Sequence, residues 1–184
     1  GAIDQATGGP AGVTDTLTRI LGEDFVTAFS GTNATETAFY SSAKSGDLVH
    51  LIGPAKPFAS EPMYSGILFA TAQEGDDDGL LQAWEIATNP QNAKLAVVEA
   101  GGDGPGMWSE AVATAGLARG FFTAGVPTFI TNSALVKRGA AEFFFEQFYS
   151  SLKSGAKVCE AMRKATLATR SQPGFSHPSM WGMF

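Results

Sequence analysis

The chain has 184 residues, 44% of them hydrophobic and 16% charged, and a formal net charge of -6. That length suits one domain with its own core, and the balance argues against a disordered chain. The acid excess, without a basic stripe interleaved with aromatics, argues against a nucleic-acid partner, and no apolar run approaches the roughly 20 residues of a membrane span.

The chain opens Gly1-Ala2 rather than with Met, which reads as an excised domain. Residues 1–12, rich in Gly and Ala, are expected to be a flexible tail, and residues 13–184 the folded domain. Leu17, Ile20 and Leu21 then make a short helical stripe behind Thr14 or Asp15, stopped by Gly22. Residues 24–29 suit a strand. Thr32 or Asn33 caps a helix to about Lys44, and the apolar run from Asp47 to Gly53 predicts a strand. Residues 54–64, with three prolines, read as a loop.

Residues 65–71 predict the next strand, followed by an acidic loop through Asp76, Asp77 and Asp78. Residues 80–87 suit a short helix, and Leu95 to Glu99 a buried strand that opens into the glycine loop Gly101–Gly106. Ser109 caps a helix to about Ala124, largely apolar and interrupted by Arg119, for which an internal carboxylate is the expected partner. Residues 127–132 predict a strand, and 139–153 and 155–170 two helices. The closing run from His177 to Phe184 is read as entering a last strand, with Trp181 and Phe184 packed on the sheet. Apolar strands alternating with helices of ten or more residues predict an α/β fold whose mostly parallel sheet is covered by helices on both faces. The functional crevice of such a sheet lies beyond the carboxyl ends of its strands, here Gly53-Pro54, Thr71-Ala72, Glu99-Ala100-Gly101 and Asn132-Ser133.

Few residues are available for chemistry. The single Cys159 excludes an internal disulfide and a multi-cysteine zinc site, and two histidines, His50 and His177, leave little for a His-based metal centre. No metal or other cofactor is expected. His50 reads as a core histidine, because in a strand it sits about 13 Å back from Pro54. Cys159 is expected to be a buried thiol on a stripe with Val158, Met162 and Ala165. Gly101–Gly106 lacks the Lys and Ser/Thr of a phosphate loop and reads as a surface loop. Glu99, Asp103 and Asp76–Asp78 suggest an acidic pocket for a cation or a basic peptide. Solvated loop carboxylates with a turn or capping role near Leu80 are the simpler reading.

Several segments in order carry a family resemblance: Asp47-Leu48-Val49-His50-Leu51, Tyr64-Ser65-Gly66-Ile67-Leu68-Phe69-Ala70, Asp78-Gly79-Leu80-Leu81 with Trp84-Glu85-Ile86, Leu95-Ala96-Val97-Val98, and Gly116 to Pro127. Phe148-Tyr149, Ala161 to Ala165, and His177-Pro178 with Trp181 and Phe184 complete the series. From about Thr16 to Phe184 the chain resembles the CHAT domain, which implies a caspase-like three-layer sandwich. The resemblance implies a catalytic His in the loop after the first of these strands and a Cys after the later one. The matched positions read Pro54, followed by Ala55, and Gly101, followed by Gly102 and Asp103.

The expectation is therefore a catalytically inactive CHAT-type domain, an interaction or regulatory module in a larger protein. Its partner would be another protein or a neighbouring domain, helical repeats such as TPR upstream being what the resemblance implies, and its compartment the cytoplasm. Gly53, Ala55, Glu99, Gly102, Asp103 and Asp78 would line the remaining cleft. Two other readings stand beside it. One is an active hydrolase of the caspase-like cysteine peptidase class with a displaced site, using Cys159 or His177, or a metal on Glu99 and Asp103. The other is a sensor of a small ligand or cation in the emptied cleft.

Overall fold

The structure, a computed structural model, describes residues 2–4, 11–71, 77–101 and 107–184, and of residues 2–4, 11–12, 100–101 and 107–111 the backbone alone. The chain divides into two compact units, residues 1–9 with 28–134, and residues 10–27 with 135–184.

The first unit holds a mixed sheet. Its strands are β1 (Ala2–Asp4), β2 (Ala28–Ser30), β3 (Leu48–Lys56), β4 (Gly66–Leu68), β5 (Leu80–Gln82), β6 (Leu95–Gly101) and β7 (Phe129–Thr131). β2, β1, β3, β6 and β7 run parallel in that spatial order, while β3 meets β4, and β4 meets β5, antiparallel. Parallel neighbours need a long return path, and α2 (Glu36–Ala43) before β3 and α4 (Met107–Thr123) before β7 supply it. A third helix, α3 (Ala83–Thr88), follows β5 directly.

Register places Val49 and Leu51 of β3 beside Ala96 and Val98 of β6, so these four share one sheet face. They join Phe39 of α2, Ile86 of α3 and Leu117 and Phe121 of α4 in one buried cluster. The rings of Phe39 and Phe121 meet edge to face, 6.3 Å between centroids. α4 comes close because Gly116 and Gly120 stand one turn apart on it. A Cβ on Gly120 would lie 2.5 Å from the carbonyl oxygen of Ala83, and one on Gly116 would collide with that of Pro62.

α2 begins at Thr35, whose Oγ1 accepts from the Ala38 amide at 3.1 Å and satisfies one of the four unpaired amides of the first turn. Thr35→Ala is expected to lower stability by about 1 kcal/mol in urea denaturation, and Thr35→Ser to restore most of the loss.

The second unit is helical: α1 (Ala11–Leu21), α5 (Arg138–Lys153) and α6 (Val158–Ser171). Val13, Leu17 and Ile20 of α1 are buried, and Arg19 pairs with Glu146 of α5 at 2.7 Å. The run Phe144, Phe145, Phe148 and Tyr149 is wholly core. Phe184 stacks on Phe144 at 4.0 Å and meets Phe145 edge to face.

The sequence reading of a mixed α/β fold with a largely parallel sheet holds, and the architecture is consistent with a caspase-like sandwich. Several local expectations change. Ala2–Asp4 is a strand between β2 and β3, so the expected tail contributes to the sheet. β3 continues through Pro54 to Lys56, because there the ladder passes from β6 to β4 and a residue without an amide hydrogen is tolerated. Residues 80–87 split into β5 and α3, the boundary being a capping box between Gln82 and Glu85.

No strand forms at the C-terminus. Pro178–Met180 makes a 3-10 turn, Trp181 packs under Arg170, and Phe184 stacks on α5 rather than on the sheet. Arg119 is exposed on α4, and no ion pair to it is found among the described residues. Cys159 is exposed too, because the buried stripe of α6 is Ala161, Ala165 and Thr169. At 100° per residue, Cys159 lies on the far side of that stripe.

Candidate functional site

The site is built by the carboxyl ends of β3 and β6. Their parallel register runs from Leu48 opposite Leu95 to Pro54 opposite Gly101, the last rung of the ladder. Strand neighbours lie about 4.8 Å apart, so these two positions, distant in sequence, are adjacent in space. One rung earlier Gly53, buried, faces Ala100. One residue later Ala55, half-buried, turns to Ile67 of β4. Gly102 and Asp103, expected on the same rim, lie outside the described residues.

Side chains alternate along each strand, so His50, Ile52 and Pro54 share a face with Val97, Glu99 and Gly101. On that face the Nε2 of His50 and the Oε1 of Glu99 are 2.8 Å apart. The imidazole is fully buried and the carboxylate 16% exposed. Glu99 therefore pairs with a core histidine through Oε1. His50 lies four residues behind the last rung, as expected for a core histidine.

Glu99→Ala would leave a buried imidazole nitrogen without its acceptor. It is expected to cost about 1–3 kcal/mol in chemical denaturation, with Glu99→Gln losing less.

The rung itself supplies no acid, base or nucleophile: proline neither ionises nor donates a hydrogen bond, and glycine has no side chain. Cys159 and His177 belong to the helical unit. There the Nδ1 of His177 lies 2.8 Å from the Ser179 hydroxyl and accepts from the Ser179 amide at 3.3 Å.

The acidic loop makes the turn and capping contacts of the simpler reading. Asp78 accepts from the Leu80 amide at 2.8 Å, a turn contact that leads into β5. Asp77 accepts from the Gly79 amide at 3.2 Å through one oxygen. Its other oxygen takes the amide of Thr37 at 3.2 Å and the Thr37 hydroxyl at 3.4 Å, in the first turn of α2. Both carboxylates are electrostatic neighbours of Glu36 and Glu85. Asp76 lies outside the described residues.

Glu36 and Glu85 were not singled out in the sequence, where each reads as a first-turn helix acid. Burial, the Glu85 charge and a hydrogen bond with Asp77 push the Glu36 carboxyl up to about 8. Burial also raises Glu85, against the pull of its bond from the Gln82 amide at 2.7 Å. The nearby Tyr40 phenol is raised as well, again chiefly by burial. The available signal was Glu36 at the N-terminus of a short helix whose Phe39 faces the core, since residues three apart share a face.

Among the described residues no cluster of three His, Cys, Asp or Glu side chains is placed to hold a metal ion, and no helix is long and apolar enough to cross a membrane. The family model described as "CHAT domain" matches residues 4–184. No curated protein matches the chain.

Proposed function

The chain belongs to the CHAT domain family, and we propose that it keeps this peptidase-related scaffold as an interaction or regulatory module without cleaving peptide bonds. The observation that carries the reading is the last rung of the β3–β6 ladder, where Pro54 and Gly101 are partners. Cysteine peptidase chemistry needs a thiolate to attack and an imidazole to move the proton to the leaving amine. Side chains at that rung would stand close enough for such a pair, and neither residue present can act. Losing such a unit typically costs on the order of 10⁶ in rate, about 8 kcal/mol of barrier.

Two facts support this reading against a displaced site. The chain has two histidines and one cysteine. Of these, His50 is buried against Glu99, and Cys159 stands on the outer face of α6. For an interaction role, the first unit offers apolar surface in Phe58, Tyr64, Leu68 and Trp84, 36–48% exposed. A protein partner or a neighbouring domain is the occupant this reading requires.

The test is turnover of a fluorogenic peptide panel with varied residues before the scissile bond. The expected rate is the buffer rate for both the wild-type chain and Cys159→Ala. Turnover above buffer in the wild type, whether or not Cys159→Ala removes it, overturns the reading.

A further inference from the structure

We propose that a pocket between α2 and α3 binds a small organic cation, one bearing a guanidinium or primary ammonium group, through Glu36, Asp77 and Glu85. This is independent of the peptidase reading, because the pocket is built from side chains of α2, α3 and the loop that carries Asp77, and not from the rung of Pro54 and Gly101. Its volume is about 300 Å³, at the lower end of small-molecule sites. Three carboxyl groups line it together with the rings of Tyr40 and Trp84.

The cluster of acids alone would be unremarkable, since Asp77 and Glu85 already accept backbone amides. Glu36 is different. It is only 4% exposed, it lines the pocket, and beyond the hydrogen bond its carboxyl shares with Asp77, its Oε1 accepts from no N–H or O–H donor among the described residues. A buried oxygen left without a donor costs about 1–3 kcal/mol, which a ligand supplying the donor recovers. The missing complement is thus an N–H or O–H group, and the surrounding charge selects a cationic one.

Other ligand classes fit less well. An anion would meet three carboxyl groups. A bare divalent ion needs several oxygens converging at 2.0–2.6 Å, and no such group of side chains is in place among the described residues. A guanidinium presents five donors in one plane, enough to satisfy Glu36 and Asp77 together, and aromatic walls favour a weakly hydrated cation. The raised Glu36 carboxyl is consistent with a site that takes up positive charge by giving up a proton.

The test is titration of the whole chain with agmatine, followed by calorimetry and by melting temperature. Butanol serves as a neutral control and Mg²⁺ and Ca²⁺ as simple cations. Agmatine is expected to bind saturably and raise the melting temperature, and butanol and the divalent ions to do neither. Glu36→Gln and Asp77→Asn should each weaken agmatine about tenfold or more, the size of one lost charge-assisted bond. Circular dichroism verifies the fold of each variant, and the second covers a failure of the first.

N-acetyl-arginine amide separates the sources of the cation. Tighter binding than agmatine assigns the pocket to an arginine side chain of a partner, and weaker binding to a free amine. The proposal is overturned by agmatine failing to bind at millimolar concentration, by butanol or a divalent ion binding equally well, or by binding that survives both substitutions.

Discussion

Gly116→Ala is expected to lower the unfolding free energy by about 3 kcal/mol or more, the upper range for overpacking a core. The reason is local and steric. α4 lies against the turn at Pro62–Tyr64 and the start of α3 with no room for a side chain, and the new methyl group would occupy the space of the Pro62 carbonyl. Backbone cannot yield as a flexible side-chain tip does, so α4 must move away from Phe39 and Ile86, taking Leu117 and Phe121 with it. Gly120→Ala should follow the same course more mildly, its nearest clash being 2.5 Å from the Ala83 oxygen.

The contrasting substitution is Gly139→Ala, in the first turn of α5. There a Cβ meets only the ring edge of Phe175 at 3.7 Å, an ordinary contact. With no clash, the gain in helix propensity decides the sign, and stability should rise by up to about 1 kcal/mol. Urea denaturation of the three variants separates packing from propensity. Equal effects at Gly116 and Gly139 would refute the close approach of α4.

Glu36→Gln is expected to remove most of a pH dependence of stability between about pH 5 and 8. The folded chain holds the Glu36 carboxyl up to about 8, against an ordinary 4.5. Below the ordinary value both states carry the proton, and Glu36 costs nothing. Between the two values the unfolded chain releases the proton while the fold retains it, so stability falls as pH rises. The slope approaches 1.4 kcal/mol per pH unit, accumulating to on the order of 4 kcal/mol by pH 8. Glu85, also raised by burial, adds in the same direction. Glutamine keeps the shape without the charge. The variant should therefore match the wild type near pH 4 and exceed it near pH 8. Parallel wild-type and variant curves from pH 4 to 8 would show that Glu36 is solvated.

Much of the architecture was legible because its signals are local or periodic. The apolar runs at Leu48–Ile52 and Leu95–Val98, each preceded by a helical segment, were enough for a parallel sheet. Pro54 misled because proline usually ends a strand, and its tolerance depends on where β3 changes neighbours, a fact of pairing and not of sequence. Cys159 misled because it was assigned to a stripe it does not share: Val158, Met162 and Ala165 lie on nearly the same face as the packed Ala161, Ala165 and Thr169, while Cys159 is turned about 100° from Val158.

The positions Pro54 and Gly101 were legible through resemblance, whereas their pairing on one rung needed the register. The bond between His50 and Glu99 follows from that same register, which sets a residue of one strand diagonally from one of the next. The acidic pocket was half visible. Asp77 and Asp78 stood out as a charge run, while Glu36 and Glu85 looked like routine helix-start acids until tertiary packing buried them together.

The central claim is that the rung of Pro54 and Gly101 carries no nucleophile and no base, nor does any imidazole elsewhere activate the single thiol. It is tested most directly by intact-mass kinetics with a peptidyl acyloxymethyl ketone, a substrate-like thiol trap, compared with iodoacetamide. Cys159 should react with both as an ordinary exposed thiol, with no preference for the peptidyl reagent. Its rates should be unchanged in His50→Leu and His177→Ala. A ketone adduct that forms orders of magnitude faster, and is slowed by loss of either histidine, would contradict the account.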